Sequence, residues 1–257
     1  MLQPPIPNLR ERILVMGGFG TGKTSDWLNI AKWSKETGSD ARFYVLDTDA
    51  SVSHMLTVPG GQYEGLDNVV LYECFDWMEY VGALKASIAA HRPGLDWIVV
   101  DFVGTAWEAV QEYYVQERYQ ADDLAEFFME QALARSSKAP LDGWKDWSVI
   151  NRLYKSFQNA LIHKHSAHLF LTSGVKVIGD NEDRSVRALF GPHGVRPVGQ
   201  KHLGHIPHTV LYAQAIRPGE IFVTTIKDRE RRILDGTVQQ GEFALDYLVN
   251  VAGWKLV

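Results

Sequence analysis

The chain has 257 residues, 46% of them hydrophobic and 22% charged, with a net charge of −5. That balance provides material for a substantial core and excludes a globally basic nucleic-acid binder, and no apolar run approaches the ~20 residues that span a bilayer. A single cysteine, Cys74, excludes an internal disulfide and fits a reducing cytoplasm, and the opening MLQPPIPNLRER lacks the order of a secretion signal.

The charge is uneven. Residues 1–159 carry 14 Lys and Arg against 22 Asp and Glu, whereas residues 160–257 carry 12 against 9 and hold seven of the nine histidines. Between Asp183 and Glu220 there is no acidic residue, while Arg184, Arg187, Arg196, Lys201 and Arg217 all fall there. A local patch of this kind attracts polyanions even on an acidic protein.

In chain order, Ile13–Met16 reads as a strand and Lys23–Glu36 as a helix stopped by Gly38. Arg42–Leu46 and Asn68–Tyr72 are further strands, and Asp76–His91 is a helix closed by Pro93-Gly94. Trp97–Val100 is wholly apolar, as a strand buried on both faces should be. Residues 105–135 read as mostly helical, "SSKAPLDG" (136–143) breaks the pattern, and a helix follows over roughly 147–165. His168–Leu171 is another buried strand. Residues 174–208, rich in glycine, proline and histidine, read as a long loop. Thr209–Ala213 and Ile221–Ile226 are strands around a turn at Arg217–Glu220. The alternation predicts an α/β fold: a mostly parallel central sheet flanked by helices, with antiparallel strands towards the C-terminus. With no repeat or linker, residues 1–257 read as a single domain with extensions at 1–10 and 236–257.

The chemistry starts at GGFGTGKTS, residues 17–25. Gly17-x4-Gly22-Lys23-Thr24 satisfies the P-loop pattern between a strand and a helix. Backbone N–H groups of Gly17, Gly18, Phe19, Gly20, Thr21, Gly22 and Ser25 would cradle phosphates, helped by the helix N-terminus. Lys23 would reach the β- and γ-phosphates, and Thr24 would ligate Mg²⁺. Such a site needs a second carboxylate that holds the metal through water at a strand end, and Asp101, closing "WIVVD", fits. Asp47 and Asp49 follow another strand; the bland alternative is that "DTDAS" caps the next helix.

The succession of P-loop, "YVLDTD", "WIVVD", "LFLTSG", a long basic loop and "VTTIKDR" resembles the RecA-like ATPases, closest to the phage-encoded single-strand annealing and recombination group. The likeness spans about residues 11–235. It implies a RecA-like core that hydrolyses ATP with Mg²⁺, binds single-stranded DNA and assembles into homo-oligomeric rings or filaments in a bacterial cytoplasm. A single-strand DNA-binding protein is a candidate further partner. Position by position, it points to Asp49 as the group that polarises the attacking water, although the family more often has glutamate there. Thr172 becomes the γ-phosphate sensor, and Lys227 and Arg229 become a pair reaching into a neighbouring subunit's site. The 174–208 loop takes the place of the DNA-binding loop, with Arg184, Arg187, Arg196 and Lys201 on backbone phosphates and Phe190 stacking on bases.

Other readings compete. Asp101-Phe-Val-Gly104 satisfies the D-x-x-G of switch GTPases, but no N-K-x-D guanine reader exists in the chain. A ring motor for unwinding or packaging shares the core yet usually brings extra domains. A small-molecule kinase could use the 174–208 loop as a lid. The sets His202/His205/His208 and His163/His165/His168 lack cysteines and read as caps, packing or phosphate contacts rather than zinc ligands.

Overall fold

The structure is a computed structural model that describes residues 2–3, 10–134, 141–142, 144–230 and 232–256. The first half of the chain alternates strand and helix: β1 (Leu2–Gln3), β2 (Arg12–Gly17), α1 (Lys23–Glu36), β3 (Phe43–Asp47), α2 (Ser51–Thr57), β4 (Val69–Glu73), α3 (Trp77–Ala90) and β5 (Trp97–Asp101). Three helices follow, α4 (Val103–Tyr119), α5 (Leu124–Leu133) and α6 (Asp146–His163), and then β6 (His168–Ser173). The remainder comprises β7 (Val175–Val177), α7 (Arg184–Phe190), β8 (Val195–Pro197), β9 (Thr209–Arg217), β10 (Glu220–Asp228), β11 (Gly236–Gln239), α8 (Phe243–Asp246) and β12 (Lys255–Leu256).

The main sheet has eight strands in the order β11-β10-β9-β2-β6-β5-β3-β4. From β9 to β4 every pairing is parallel, and β10 and β11 add antiparallel pairings at one edge. This is the predicted fold class, a mostly parallel central sheet with antiparallel strands towards the C-terminus, in which β6 lies between the P-loop strand β2 and the aspartate strand β5. The central strands carry apolar side chains on both faces because helices cover both faces. Leu14, Met16, Ile98, Val100, Leu169 and Leu171 face a core shared with α3, α4 and α6. Their neighbours Ile13, Val15, Trp97, Val99 and Phe170 face a second core shared with α1 and the α8 region. Strand alternation thus sorts one continuous greasy run into two layers.

Several boundaries differ from expectation for local reasons. The 105–135 stretch is two helices, because Gln120 turns left-handed (φ 59°) and Asp123 restarts the chain by accepting the Glu126 amide at 2.7 Å. The "SSKAPLDG" break falls largely outside the described residues. Residues 236–239 form the edge strand β11, and α8 packs against α1.

The largest correction concerns 174–208, which is not a structureless loop. β7 and β8 within it pair antiparallel, α7 sits between them, and short 3₁₀ turns occupy Gly191–His193 and Leu203–His205. Val186 and Phe190, four apart on α7, give this lobe a small apolar face of its own, and both are buried. Gly204 lies so close beneath that a Cβ there would sit 2.3 Å from the Phe190 ring. Phe190 is therefore core and does not stack on bases.

Candidate nucleotide site

β2 delivers the chain to Gly17, and α1 begins at Lys23 after a loop in which Gly20 and Gly22 hold left-handed φ values of 70° and 80°. At Gly22 a side chain is excluded on two counts: the φ value, and Gly241 N lying 2.9 Å from where a Cβ would stand. Gly17 is equally confined, by Ala213 O at 2.7 Å. The C-terminal turn helps to hold the loop: Gln240 donates to Gly20 O, Asn29 donates to Gly241 O at 2.6 Å, and Asp26 accepts from Ala244 N at 2.9 Å. Phe19 projects wholly into solvent.

Lys23 Nζ donates to Gly18 O at 2.7 Å and Gly17 O at 3.1 Å, and lies 5.7 Å from the centre of the Phe102 ring. Burial lowers its pKa, and the Asp101 charge opposes that fall. Asp101 is only 4% exposed at the end of β5. Its Oδ2 accepts from the Trp27 indole at 2.8 Å, and its Oδ1 accepts from the Thr172 hydroxyl. Burial raises its pKa, while Thr172, Trp27 and Thr24 as hydrogen-bond donors pull it back. Asp101 thus accepts from Thr172 on the intervening strand and from Thr24 on α1, while Lys23 stands beside them, bonded to the P-loop carbonyls and within reach of the Asp101 charge. A hydroxyl and a carboxylate side by side are hard oxygen donors of the kind Mg²⁺ requires, so the residues fit that ion. Trp27 is the member that the sequence reading missed; an apolar residue one turn into the P-loop helix reads only as core.

Asp47 and Asp49 divide the work after β3. Asp47 is buried and accepts from Val52 N at 3.1 Å, fastening the start of α2. Burial raises its pKa to about 6, helped by the charges of Asp49 and Asp101. Asp49 is exposed, accepts from Ser51 N at 3.0 Å, and lies near enough to Asp101 to raise that group's pKa. The capping role read from "DTDAS" is present in both.

Beside Lys23 opens a cleft of about 380 Å³ lined by Gly17, Phe19, Phe102, Glu108 and Val198, among others. It meets the P-loop at Gly17, Gly18, Phe19 and Lys23. Glu108 and Phe102 were not singled out by the sequence, because only the α4 turn brings them to the loop.

The cations expected on nucleic acid are not equivalent. Arg184 and Arg187 are exposed on α7. Lys201 is half-exposed and pairs with Asp183 at 2.7 Å. Arg196 is buried, bonds Glu182 at 2.6 Å and donates to Pro197 O at 3.1 Å, so it braces the lobe. Lys227 donates to the carbonyls of Gly204 (3.0 Å), His205 (3.2 Å) and Pro207 (2.7 Å), and burial lowers its pKa to about 8. Arg229 is exposed. β10 runs antiparallel to β9, so Lys227 and Arg229 lie at the end of the sheet where β2 begins, away from the P-loop at its other end. Among the described residues no cluster of three or more His, Cys, Asp or Glu could hold a metal, and no helix is long and apolar enough to cross a membrane.

No protein-family model matches the chain, and no curated protein matches it. Among solved structures it is similar to a crystal structure of the RadB recombinase, with a TM-score of 0.49 and 15% identity over 90% of this chain and 84% of that one.

Proposed function

We propose that the chain is a RecA-like ATPase that hydrolyses ATP on single-stranded DNA in phage-type recombination or annealing, working as a homo-oligomer. The observation that carries this reading is the convergence beside the P-loop of Asp101, which accepts from Thr172 and Thr24, and of Lys23, which feels the Asp101 charge. Lys23 neutralises charge on the β- and γ-phosphates, and the loop amides orient them. Thr24 and Asp101 hold the magnesium ion, which when bound neutralises charge developing on the leaving phosphates. Asp49 orients the attacking water from the strand beside Asp101, and Thr172 links the γ-phosphate end to the root of the α7 lobe. Lys227 and Arg229, being remote from their own P-loop, serve a neighbour's.

Arg184, Arg187 and Lys201 contact the DNA backbone. Three neutralised phosphates give a salt slope of roughly −2, at about −0.7 each on a single strand. The test is ATP turnover against single-stranded DNA concentration at two salt levels. Turnover should rise with DNA and the half-saturating concentration should rise with salt at about that slope, while turnover indifferent to DNA rejects the reading. The apolar cleft beside Lys23 favours one rival, phosphoryl transfer to a small acceptor, which the same assay separates because a kinase ignores DNA.

A further inference from the structure

Behind Asp101, hydroxyls that the proposed chemistry does not use meet around one residue. Thr48, between Asp47 and Asp49, donates its backbone N–H to Asp101 O at 2.9 Å, which pins the turn after β3 to the end of β5. The next amide along, Phe102 N, donates to the Thr48 hydroxyl oxygen at 3.0 Å. The Phe102 carbonyl in turn accepts from the Thr105 hydroxyl at 2.6 Å and from the Thr105 amide at 3.2 Å. A third hydroxyl comes from α3: Tyr80 is 1% exposed, and its phenol lies 2.8 Å from the Thr105 oxygen.

Counting protons fixes the direction of these bonds, since a hydroxyl has one to give. Thr105 spends its own on Phe102 O, so Tyr80 donates to Thr105. Thr48 accepts from Phe102 N and keeps its proton for the Tyr80 oxygen. Burial pushes the Tyr80 pKa up to about 12, and hydrogen bonds with Thr105 and Thr48 oppose the rise. The result is a closed circuit from Phe102 N–H through Thr48, Tyr80 and Thr105 back to Phe102 O, in which every hydroxyl gives one proton and receives one. Such networks strengthen their members cooperatively. Core packing does not call for the phenol: the Tyr80 ring stands edge-on to Phe157 at 6.3 Å, in a cluster with Trp77 where phenylalanine would serve.

We propose that Tyr80 is a positioning residue for nucleotide hydrolysis, holding through Thr48 and Thr105 the turn after Asp101 against the turn that carries Asp49. The role presupposes the nucleotide reading of this site and adds to it the group that sets the spacing of its two carboxylates. Asp49 directly follows Thr48, and Phe102 directly follows Asp101, so a shift at either end of the circuit moves a carboxylate. The Phe102 ring also walls the cleft beside Lys23. Misplacing a reacting group by about 1 Å can cost about a hundred-fold in rate. Phosphate binding by the amides of residues 17–25 depends on neither turn.

The experiment measures ATP turnover, without DNA, by the full wild-type chain and by Thr48→Val, Tyr80→Phe and the double variant. Each single change should lower kcat about ten-fold and leave KM for ATP within about two-fold of wild type. The double variant should fall no further, because either change opens the same circuit. Thr48→Ser keeps the hydroxyl and should stay close to wild type, which separates loss of the bond from loss of the fold. Single variants that match wild type, or a double variant lowered by the product of the two single losses, overturn the role. A raised KM at unchanged kcat does so too. Leaving DNA out keeps this result apart from the test of DNA stimulation. If the wild-type chain shows no turnover at all, the hydrolytic reading fails on its own account. The same four chains are then compared by the magnesium concentration that gives half-maximal ADP binding in calorimetry. A half-point raised alike in both single variants and the double supports the circuit as the device that orients Asp101, and four equal half-points overturn it.

Discussion

Asp101 is oriented by donors from three directions, and the Trp27 indole is the one whose loss can be isolated. Trp27→Phe keeps the ring in its buried slot and removes only the N–H. A hydrogen bond to a charged group contributes about 1.5–3 kcal/mol, so the magnesium concentration needed to support nucleotide binding should rise by roughly ten-fold or more. Nucleotide affinity at saturating magnesium should stay near wild type; an unchanged magnesium requirement would reduce Trp27 to packing. Asp47 allows a second test at this scale. Its folded pKa of about 6 lies above the ordinary 3.8, so the native state holds this proton more tightly than the unfolded chain does. Its contribution is then fully present below pH 3.8 and is lost as pH rises through about 6. Asp47→Asn keeps an oxygen for Val52 N and removes the titration. Urea unfolding of wild type and variant should give a stability difference that moves in the variant's favour between pH 4 and 6 and is flat above 7.

Among the elements, the α7 lobe depends on very few side chains. Phe190 is its largest buried group, wedged over Gly204. Phe190→Ala should cost about 3–5 kcal/mol locally, since Gly204 has no side chain to move into the space. Hydrogen exchange should show α7 amides losing protection while α1 keeps its own, and nucleotide binding should survive. The same lobe marks the limit of what the sequence could tell. β2, β3, β5 and β6 were legible because four or five consecutive apolar residues admit one reading when helices alternate with them. The P-loop was legible because its glycines are required by backbone geometry, as at Gly22. The lobe was not: a seven-residue helix is too short to show periodicity, and its two buried residues become a core only with Gly204, fourteen residues on from Phe190. Arg196 misled for a related reason. Charge in a basic stretch reads as surface, whereas here it is cancelled by Glu182, from before the helix. Trp27 and Glu108 were invisible as site residues because neither adjoins a motif's fixed positions.

At the scale of the whole molecule, the sheet has two chemical ends. The P-loop, Asp101 and Thr172 occupy the end towards which the parallel strands run, and Arg12, Lys227 and Arg229 the end from which they start. On the proposed function, contact between copies is head-to-tail, a heterologous interface that closes into rings or runs on as filaments. An equal mixture of Lys23→Ala and Arg229→Ala chains, each inactive alone, should then recover about a quarter of wild-type turnover, because about a quarter of junctions join two intact halves. Recovery of nothing would require each site to be completed within its own chain. On the same proposal the two ends of the sheet, with the P-loop at one and Lys227 and Arg229 at the other, also set how catalysis scales with assembly size. An open string of n chains has n junctions less one, so its terminal cradle idles, and turnover per chain climbs with length. A closed circle has no idle member, and its turnover per chain steps to a plateau at the moment of closure.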